Sequence, residues 1–507
     1  MEIFLSVLQA IGVIALVILV FNLIIVVHEL GHFLAARWRG LEIEKFQIWF
    51  GKPLWKKTIN GVQYGLGSIP AGGFVALPQM APMELLEGKS GAKDGLPLKP
   101  IKPLDKIIVA FAGPLFSFML AIVFACIVYF VGIPDNGSKN TEIGWVAPDS
   151  PAAQAGVLAG DKIEKIDGTK VKAWSGLVDS VMWLIIGGTE ETVNLVVDRD
   201  GEKIPFNIKP EADRGGEHAN LPWYKKIFKR PPTRKIGVAQ ANDKVQIREV
   251  LSPSPIADAG VQGEDIILAW NGEKVRSLIG LEVRAQSHGL ETPDESAELT
   301  VLRGEETLTL EITPRPPVDF ELPEKEGEEV DPNSLPTFLG VAAYGSKHFK
   351  ARPPKYPTPP QQIKDTFKIM HGTISAVTSS KSGVSVAHLN GPLGIMNLYY
   401  TFFRSPDGFR LVLWFSVILN INLAILNMLP LPILDGGHIM MATFEAIFRR
   451  PIHIKVLEIV NGACALLLLS FIGFITLKDS GDIRDQHGPA GEAPAAPRWE
   501  ETTENSS

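Results

Sequence analysis

Residues His28, Glu29, Leu30, Gly31 and His32 form a His-Glu-x-x-His pattern. On a helix, side chains four residues apart share a face, so both imidazoles can reach one metal ion. Glu29, next to the first of them, is near enough to work on water at that metal. Five residues are a short motif, and its setting carries the argument. The pattern continues, without a break, an apolar run (3–27) that has no charged residue. An ionisable side chain at membrane depth costs roughly 2.5 kcal/mol or more unless it is paired or serves a function. A Glu flanked by two His there reads as a metal site, the alternative being a polar interfacial turn. Two His ligands leave zinc in need of a further protein ligand and an open position for water. The candidate lies far along the chain, where Asn427-Met428-Leu429-Pro430-Leu431-Pro432-Ile433-Leu434 ends an apolar run in Asp435-Gly436-Gly437. Backbone broken by proline at membrane depth is tolerated where it is buried in protein or lines a wet cavity. Asp435 is therefore a carboxylate aimed at a polar site. His438 is a rival for the same role, read as an interfacial residue or a support to the ligands.

The elements that must position these groups are membrane spans. The chain has 507 residues, with 49 Lys+Arg against 56 Asp+Glu and a formal net charge of −7. Its length calls for several structural units, and its charge argues against a nucleic-acid binder. Two cysteines, Cys126 and Cys464, exclude a disulfide scaffold and read as inert packing residues. Four charge-free runs, 3–27, 107–133, 411–434 and more weakly 459–477, match the roughly 20 residues that a spanning helix needs. A soluble enzyme is excluded. The first run lacks a basic flank and exceeds a signal-peptide core, so it is read as retained. Arg37, Arg39, Lys45, Lys52, Lys56, Lys57, Lys102 and Lys106 separate the first two spans, and Arg449, Arg450 and Lys455 the last two. Positive loops mark the cytoplasmic side, which places both termini and the 134–410 region outside. It also brings Asp435 level with His28 and His32. Gly113-Pro114, inside the second span, reads as a kink or close-packing point.

The outer region repeats itself at an offset of 104 residues. Ser150-Pro151-Ala152-Ala153-Gln154-Ala155-Gly156-Val157 aligns with Ser254-Pro255-Ile256-Ala257-Asp258-Ala259-Gly260-Val261. The register continues through Asp161 with Asp265, Ile163 with Ile267, Gly168 with Gly272 and Val171 with Val275. Each copy reads as a short helix begun near Ser-Pro, then a strand, an Asp/Asn-Gly hairpin turn and further strands. The pattern resembles a PDZ domain, which implies grooves that take an extended peptide or a chain terminus by strand addition; the plainer alternative is a pair of β-rich spacers. The expected units are 140–210 and 234–315. A Pro-rich, acidic segment (316–360) follows, read as a linker or an excursion from the second unit. Residues 361–400 hold an amphipathic helix, lying on the membrane or beneath the repeats, and the turn at Gly391-Pro392. The tail 478–507 reads as disordered.

Taken together, these motifs make the chain similar to the bacterial site-2 proteases, in the PDZ-bearing regulator of sigma-E protease group. The resemblance covers most of residues 1–477. It rests on His28 to His32, Gly72-Gly73-Phe74-Val75, Ala112-Gly113-Pro114, the paired repeats, Gly391-Pro392 and Leu434-Asp435-Gly436. It implies a polytopic α-helical membrane protein of about four transmembrane helices. Two extracytoplasmic β-rich PDZ-like domains and a membrane-associated β-hairpin region (39–106) complete it. It implies zinc held by His28, His32 and Asp435, with Glu29 as catalytic base and Asn427 contacting substrate. Gly72, Gly73, Phe74 and Val75 would pair with extended substrate, unless that hairpin is merely cytoplasmic. The implied activity is intramembrane cleavage of transmembrane proteins in the inner membrane of a bacterium, among lipids. Implied substrates are an anti-sigma factor trimmed by another protease or a remnant signal peptide. The chain departs from the group in two places: Ser117 stands where the group often has Asn, and the 314–360 segment is long. A catalytically silent PDZ scaffold has no need of Glu29 and Asp435, and a transporter with a broken helix is disfavoured because the ligand-bearing spans are not related by repeat.

Overall fold

The structure, a computed structural model, describes residues 2–80, 101–135, 139–212, 233–318, 338–344, 353–449, 454–487 and 499. The acidic stretch 319–331 and most of the expected tail lie outside these residues. The chain divides into two units. The first comprises Met1–Pro134, Pro353–Met370 and Asn390–Ile483; the second comprises Asp135–Arg352, His371–Leu389 and Arg484–Ser507.

Helix α1 (Glu2–Arg39) opens the first unit, followed by a four-stranded sheet: β1 (Lys45–Phe50), β2 (Trp55–Ile59), β3 (Val62–Leu66) and β4 (Ile69–Ala76). Then come α2 (Pro103–Val131), α3 (Pro359–Thr378), α4 (Pro392–Arg404), α5 (Gly408–Asn427), α6 (Asp435–Phe448) and α7 (Ile454–His487). Four helices are long and apolar enough to cross a membrane: Phe4–Arg39, Pro103–Val131, Gly408–Asn427 and Ile459–Gly481. Large apolar side chains such as Leu8, Leu19, Phe130 and Leu466 stand exposed on them, as a lipid-facing surface requires. Helix α2 is central. Its Val109 and Ala110 pack with Phe33 and Ala36 of α1, and its Ala121, Ala125 and Val128 pack with Leu413, Val417 and Ile421 of α5. Gly31 allows the first contact, since a Cβ there would come 2.4 Å from the Ala112 carbonyl oxygen.

The sheet runs in the order β2-β3-β1-β4. It is not a simple meander: β1 is parallel to β3 and antiparallel to β4. Within it β4 is an edge strand. The Trp49 indole of β1 donates to Asn22 Oδ1 of α1, so the sheet is tied to the helix inside the charge-free run.

The third membrane segment is two helices, because Pro430 and Pro432 have no N–H with which to continue α5. One boundary differs from the sequence reading. Helix α7 runs to His487, so 478–487 is helical and not the start of a disordered tail. The charges that end the apolar run, Lys478 and Asp479, are buried. Asp479 Oδ2 accepts from the Gly391 and Gly394 amides at the start of α4, at 2.9 and 2.8 Å.

The second unit holds the two repeat copies, each built on antiparallel pairs. In the first, Lys162–Ile166 pairs with Val193–Arg199, which pairs with Glu202–Ile208. In the second, Ile266–Trp270, Ala297–Arg303 and Glu306–Ile312 do the same. Ser150 Oγ and Ser254 Oγ cap the short helices, each accepting an amide at 3.3 Å. Asp167-Gly168 and Asn271-Gly272 turn at positive φ in both residues, as a two-residue hairpin demands. Arg199 grips Asp161 in the first copy as Arg303 grips Asp265 in the second.

The expected limits of these copies need correction. Val238–Gln240, assigned above to the second copy (234–315), pairs with Ile143–Val146 of the first copy. Val341–Tyr344, assigned to the linker, pairs with Val245–Val250 of the second. The Pro-rich segment is thus an excursion from the second copy, and its return strand satisfies a sheet edge that would otherwise lie open. The signal was present as Ile236-Gly237-Val238-Ala239 and Leu339-Gly340-Val341-Ala342, a second repeat beyond the aligned block.

Candidate metal centre

Helix α1 carries His28 and His32 one turn apart, both 8% exposed. Their Nε2 atoms face each other at 3.3 Å. The ring of His32 donates from Nδ1 to the Val109 carbonyl at 2.8 Å, and His28 Nδ1 meets Ser117 Oγ at 2.9 Å. Both partners lie on α2. A carbonyl can only accept, so this contact puts the His32 proton on Nδ1 and leaves the Nε2 lone pair directed inward.

Asp435 begins α6. The chain reaches it through the turn 428–434, folded so tightly that a Cβ at Gly436 would lie 2.3 Å from the Met428 carbonyl oxygen and one at Gly437 would lie 2.1 Å from that of Leu431. Its Oδ2 stands 3.3 Å from His28 Nε2 and its Oδ1 3.3 Å from His32 Nε2. Among the described residues, His28, His32 and Asp435 form the group of donors close enough to share one ion. His438 is buried but stands outside it.

The spacing tests the fit to zinc. Donors bound at about 2.0–2.1 Å in a tetrahedral array stand roughly 3.3–3.4 Å apart. The two imidazole nitrogens stand at that separation, and each stands at it from one of the two Asp435 oxygens. Electron-rich atoms gathered so closely repel one another unless a cation lies between them. The donor set, two imidazoles and a carboxylate, is one that zinc takes in catalytic sites.

Two neighbours complete the site. Asn427, the last residue of α5, brings Nδ2 to 3.4 Å from His28 Nε2. Glu29 turns toward β4, where the Val75 amide donates to it and a Cβ on Gly73 would sit 3.5 Å from its Cγ. Of the four sequence-predicted strand residues, Gly73 and Val75 thus border the carboxylate. Phe74 stacks on Phe50, with ring centroids 6.2 Å apart, and Gly72 sits where any Cβ would overlap that Phe50 ring.

The sequence reading missed three contributors. Ser117 and Val109 orient the imidazoles, and the helical spacing of Val109 to Ser117 (two turns apart on one face of α2) was the available signal. Gly113, between them, forms the floor of the site, since a Cβ there would lie 2.2 Å from His32 Nε2. It is a close-packing residue as expected, but what it packs against is the candidate metal ligand. Outside the site, the Arg39–Asp105 pair at 2.6 Å and the Lys106–Glu445 pair at 2.7 Å tie α2 to α1 and to α6.

A buried zinc-type donor set with a carboxylate beside it, built on helices long and apolar enough to cross a membrane, is what a membrane-embedded metallohydrolase requires. The chain belongs to peptidase family M50, whose family model matches residues 16–471. It is 27% identical over 482 residues to a Vibrio cholerae protein provisionally named a zinc metalloprotease, covering 89% of this chain and 95% of that one. It is 27% identical over 481 residues to protease RseP of Yersinia pestis, and 26% identical over 481 residues to the regulator of sigma-E protease RseP of Escherichia coli K12. Each covers 91% of this chain and 97% of the relative. The chain is therefore a site-2-type zinc metalloprotease, a multi-pass protein of the inner membrane.

Proposed function

We propose that this protein is an intramembrane endopeptidase that cuts the transmembrane segments of single-pass membrane proteins, with zinc held by His28, His32 and Asp435. The observation that carries the reading is the gathering beside Glu29 of His28 and His32, with Nε2 atoms 3.3 Å apart, and Asp435, whose two oxygens each stand 3.3 Å from one of them. Zinc bound there supplies a Lewis acid that makes water a competent nucleophile near neutral pH. Glu29 takes the proton of the attacking water and returns it to the leaving amine. Asn427 donates from its amide to the oxygen on which negative charge develops. Ser117 and the Val109 carbonyl hold both rings in the tautomer that keeps Nε2 available.

A helical substrate hides its peptide bonds in its own hydrogen bonds and must unwind before attack. The edge strand β4 supports a route. Its Gly72 to Val75 segment borders Glu29, and strand addition there replaces the hydrogen bonds that unwinding releases. The Trp49–Asn22 contact supports a sheet that dips into the membrane. The two repeat copies act as PDZ-like units on the outer face, with both termini on that face, and govern which substrates reach the site. The names of the RseP relatives favour a regulatory membrane protein as substrate, of the anti-sigma-factor class, with remnant signal peptides as the second class.

Membrane-fragment proteomics on cells carrying the wild type or Glu29→Gln tests the reading. Full-length single-pass proteins accumulate in the variant, while its zinc content stays at the wild-type level. Identical fragment profiles in the two strains would favour a catalytically silent scaffold.

A further inference from the structure

We infer that Trp499 docks the C-terminal tail of this chain onto the second repeat copy as an intramolecular ligand. Within residues 488–507 Trp499 is the sole large apolar side chain, set among Gly, Ala, Pro and polar residues. Such a composition has little else with which to bury itself. The indole is 5% exposed. Its Nε1 donates to the Arg315 carbonyl at 3.0 Å, the partner that a buried Trp N–H requires. Its ring lies over Gly340, where a Cβ would come 3.4 Å from Cη2.

Both contacted residues belong to the segments that close the second copy. Arg315 follows the strand Glu306–Ile312, and its side chain is held by Asp258 at 2.9 Å. Gly340 leads into the return strand Val341–Tyr344 at a φ of 87°. The first copy differs at the equivalent place. A Cβ on Gly237 would meet Ser150 and the Ala147 side chain, with no aromatic ring among its nearest neighbours. Docking is thus a property of the second copy.

Topology agrees with this. An even number of spans separates the N-terminus, the repeat region and the tail pairwise, so the tail and the repeat copies share one side of the membrane. A ligand carried on the same chain as its receptor acts at an effective concentration that can reach the order of millimolar. A modest contact is then well populated and still reversible. Any outside segment that binds around Gly340 and Arg315 must first displace Trp499, which makes this face conditionally available.

The test uses the full chain in lipid nanodiscs, with p-benzoylphenylalanine in place of Trp499. Irradiation gives an intrachain adduct within residues 251–260, 315–318 or 338–341. Hydrogen exchange supplies a second measurement. Trp499→Ala speeds exchange at 338–341 by about tenfold and leaves 236–240 unchanged, and Trp499→Phe restores part of the protection. Adducts to a second copy, adducts confined to other regions, or unchanged exchange at 338–341 in Trp499→Ala each overturn the inference. None of these measurements depends on zinc or on cleavage, so they stand apart from the proposed activity.

Discussion

At the scale of single residues, the site is governed by what each donor is prevented from doing. The Val109 carbonyl keeps the His32 proton on the outer nitrogen, and Ser117 pins the matching nitrogen of His28. Asp435 spans both imidazoles with its two oxygens. Removing it leaves two ligands, too few for a stable zinc site. Asp435→Ala is expected to lose its zinc, read by metal analysis on inserted, purified protein; full occupancy with normal cleavage would transfer the role to His438. Ser117 acts through His28 and not on substrate. Loss of such a supporting hydrogen bond lowers metal affinity by roughly 10–100-fold. Ser117→Ala is accordingly expected to release zinc at lower chelator concentration, and Ser117→Asn to recover it in part.

At the scale of elements, three pieces converge: the last turns of α1, the middle of α2 and the start of α6. Small residues make the convergence possible, through Gly31 against Ala112, Gly113 against His32 and Gly436 against Met428. The remaining side is bounded by β4. Its position beside Glu29 supports the proposal that it holds substrate extended. Gly73→Val places a branched side chain where a Cβ already stands 3.2 Å from the Gln47 carbonyl oxygen and 3.5 Å from Glu29 Cγ. A misplacement of about 1 Å at such a site costs on the order of 100-fold in rate. The expected result is a fall of that size in kcat/KM with zinc content unchanged. Loss of zinc in this variant would show that the strand supports the metal site and not the substrate.

At the scale of the whole molecule, the basic loops predict a sidedness. Cysteine introduced at Lys56 or Arg449 should resist a membrane-impermeant reagent added from outside, while cysteine at Asp149 or Lys274 should react with it. Outside labelling at position 56 would invert the arrangement. The repeat copies raise a second question, whether they exclude bulky substrates or recruit trimmed ones. Because the return strand Val341–Tyr344 belongs to the second copy, a clean deletion must run from 139 to 344 and not stop at 314. If the copies are a size filter, the correctly inserted deletion variant cuts full-length substrates with Glu29 still required. If it cuts neither intact nor trimmed substrates, the copies are receptors or supports.

Much of this was legible in the residues themselves. Charge-free runs of spanning length can be satisfied only by helices in lipid, so four spans followed from composition alone. A Glu and two His inside one of them are too costly to be incidental, and an aspartate at a proline-broken span end is costly for the same reason. Local chemistry of this kind is encoded locally. What only the tertiary structure decided involves partners distant in sequence. Ser117 and Val109 meet the imidazoles because α2 crosses α1 at Gly31 and Gly113, and no short-range pattern announces which side chains face each other across such a crossing. The copies close with strands that return after long excursions, so their pairing depends on loop closure and not on period. Lys478 and Asp479 look like the start of a solvated tail until α4 supplies two backbone amides to the carboxylate. Charge marks the end of an apolar run in sequence, whereas burial depends on whether the fold brings a partner to meet it.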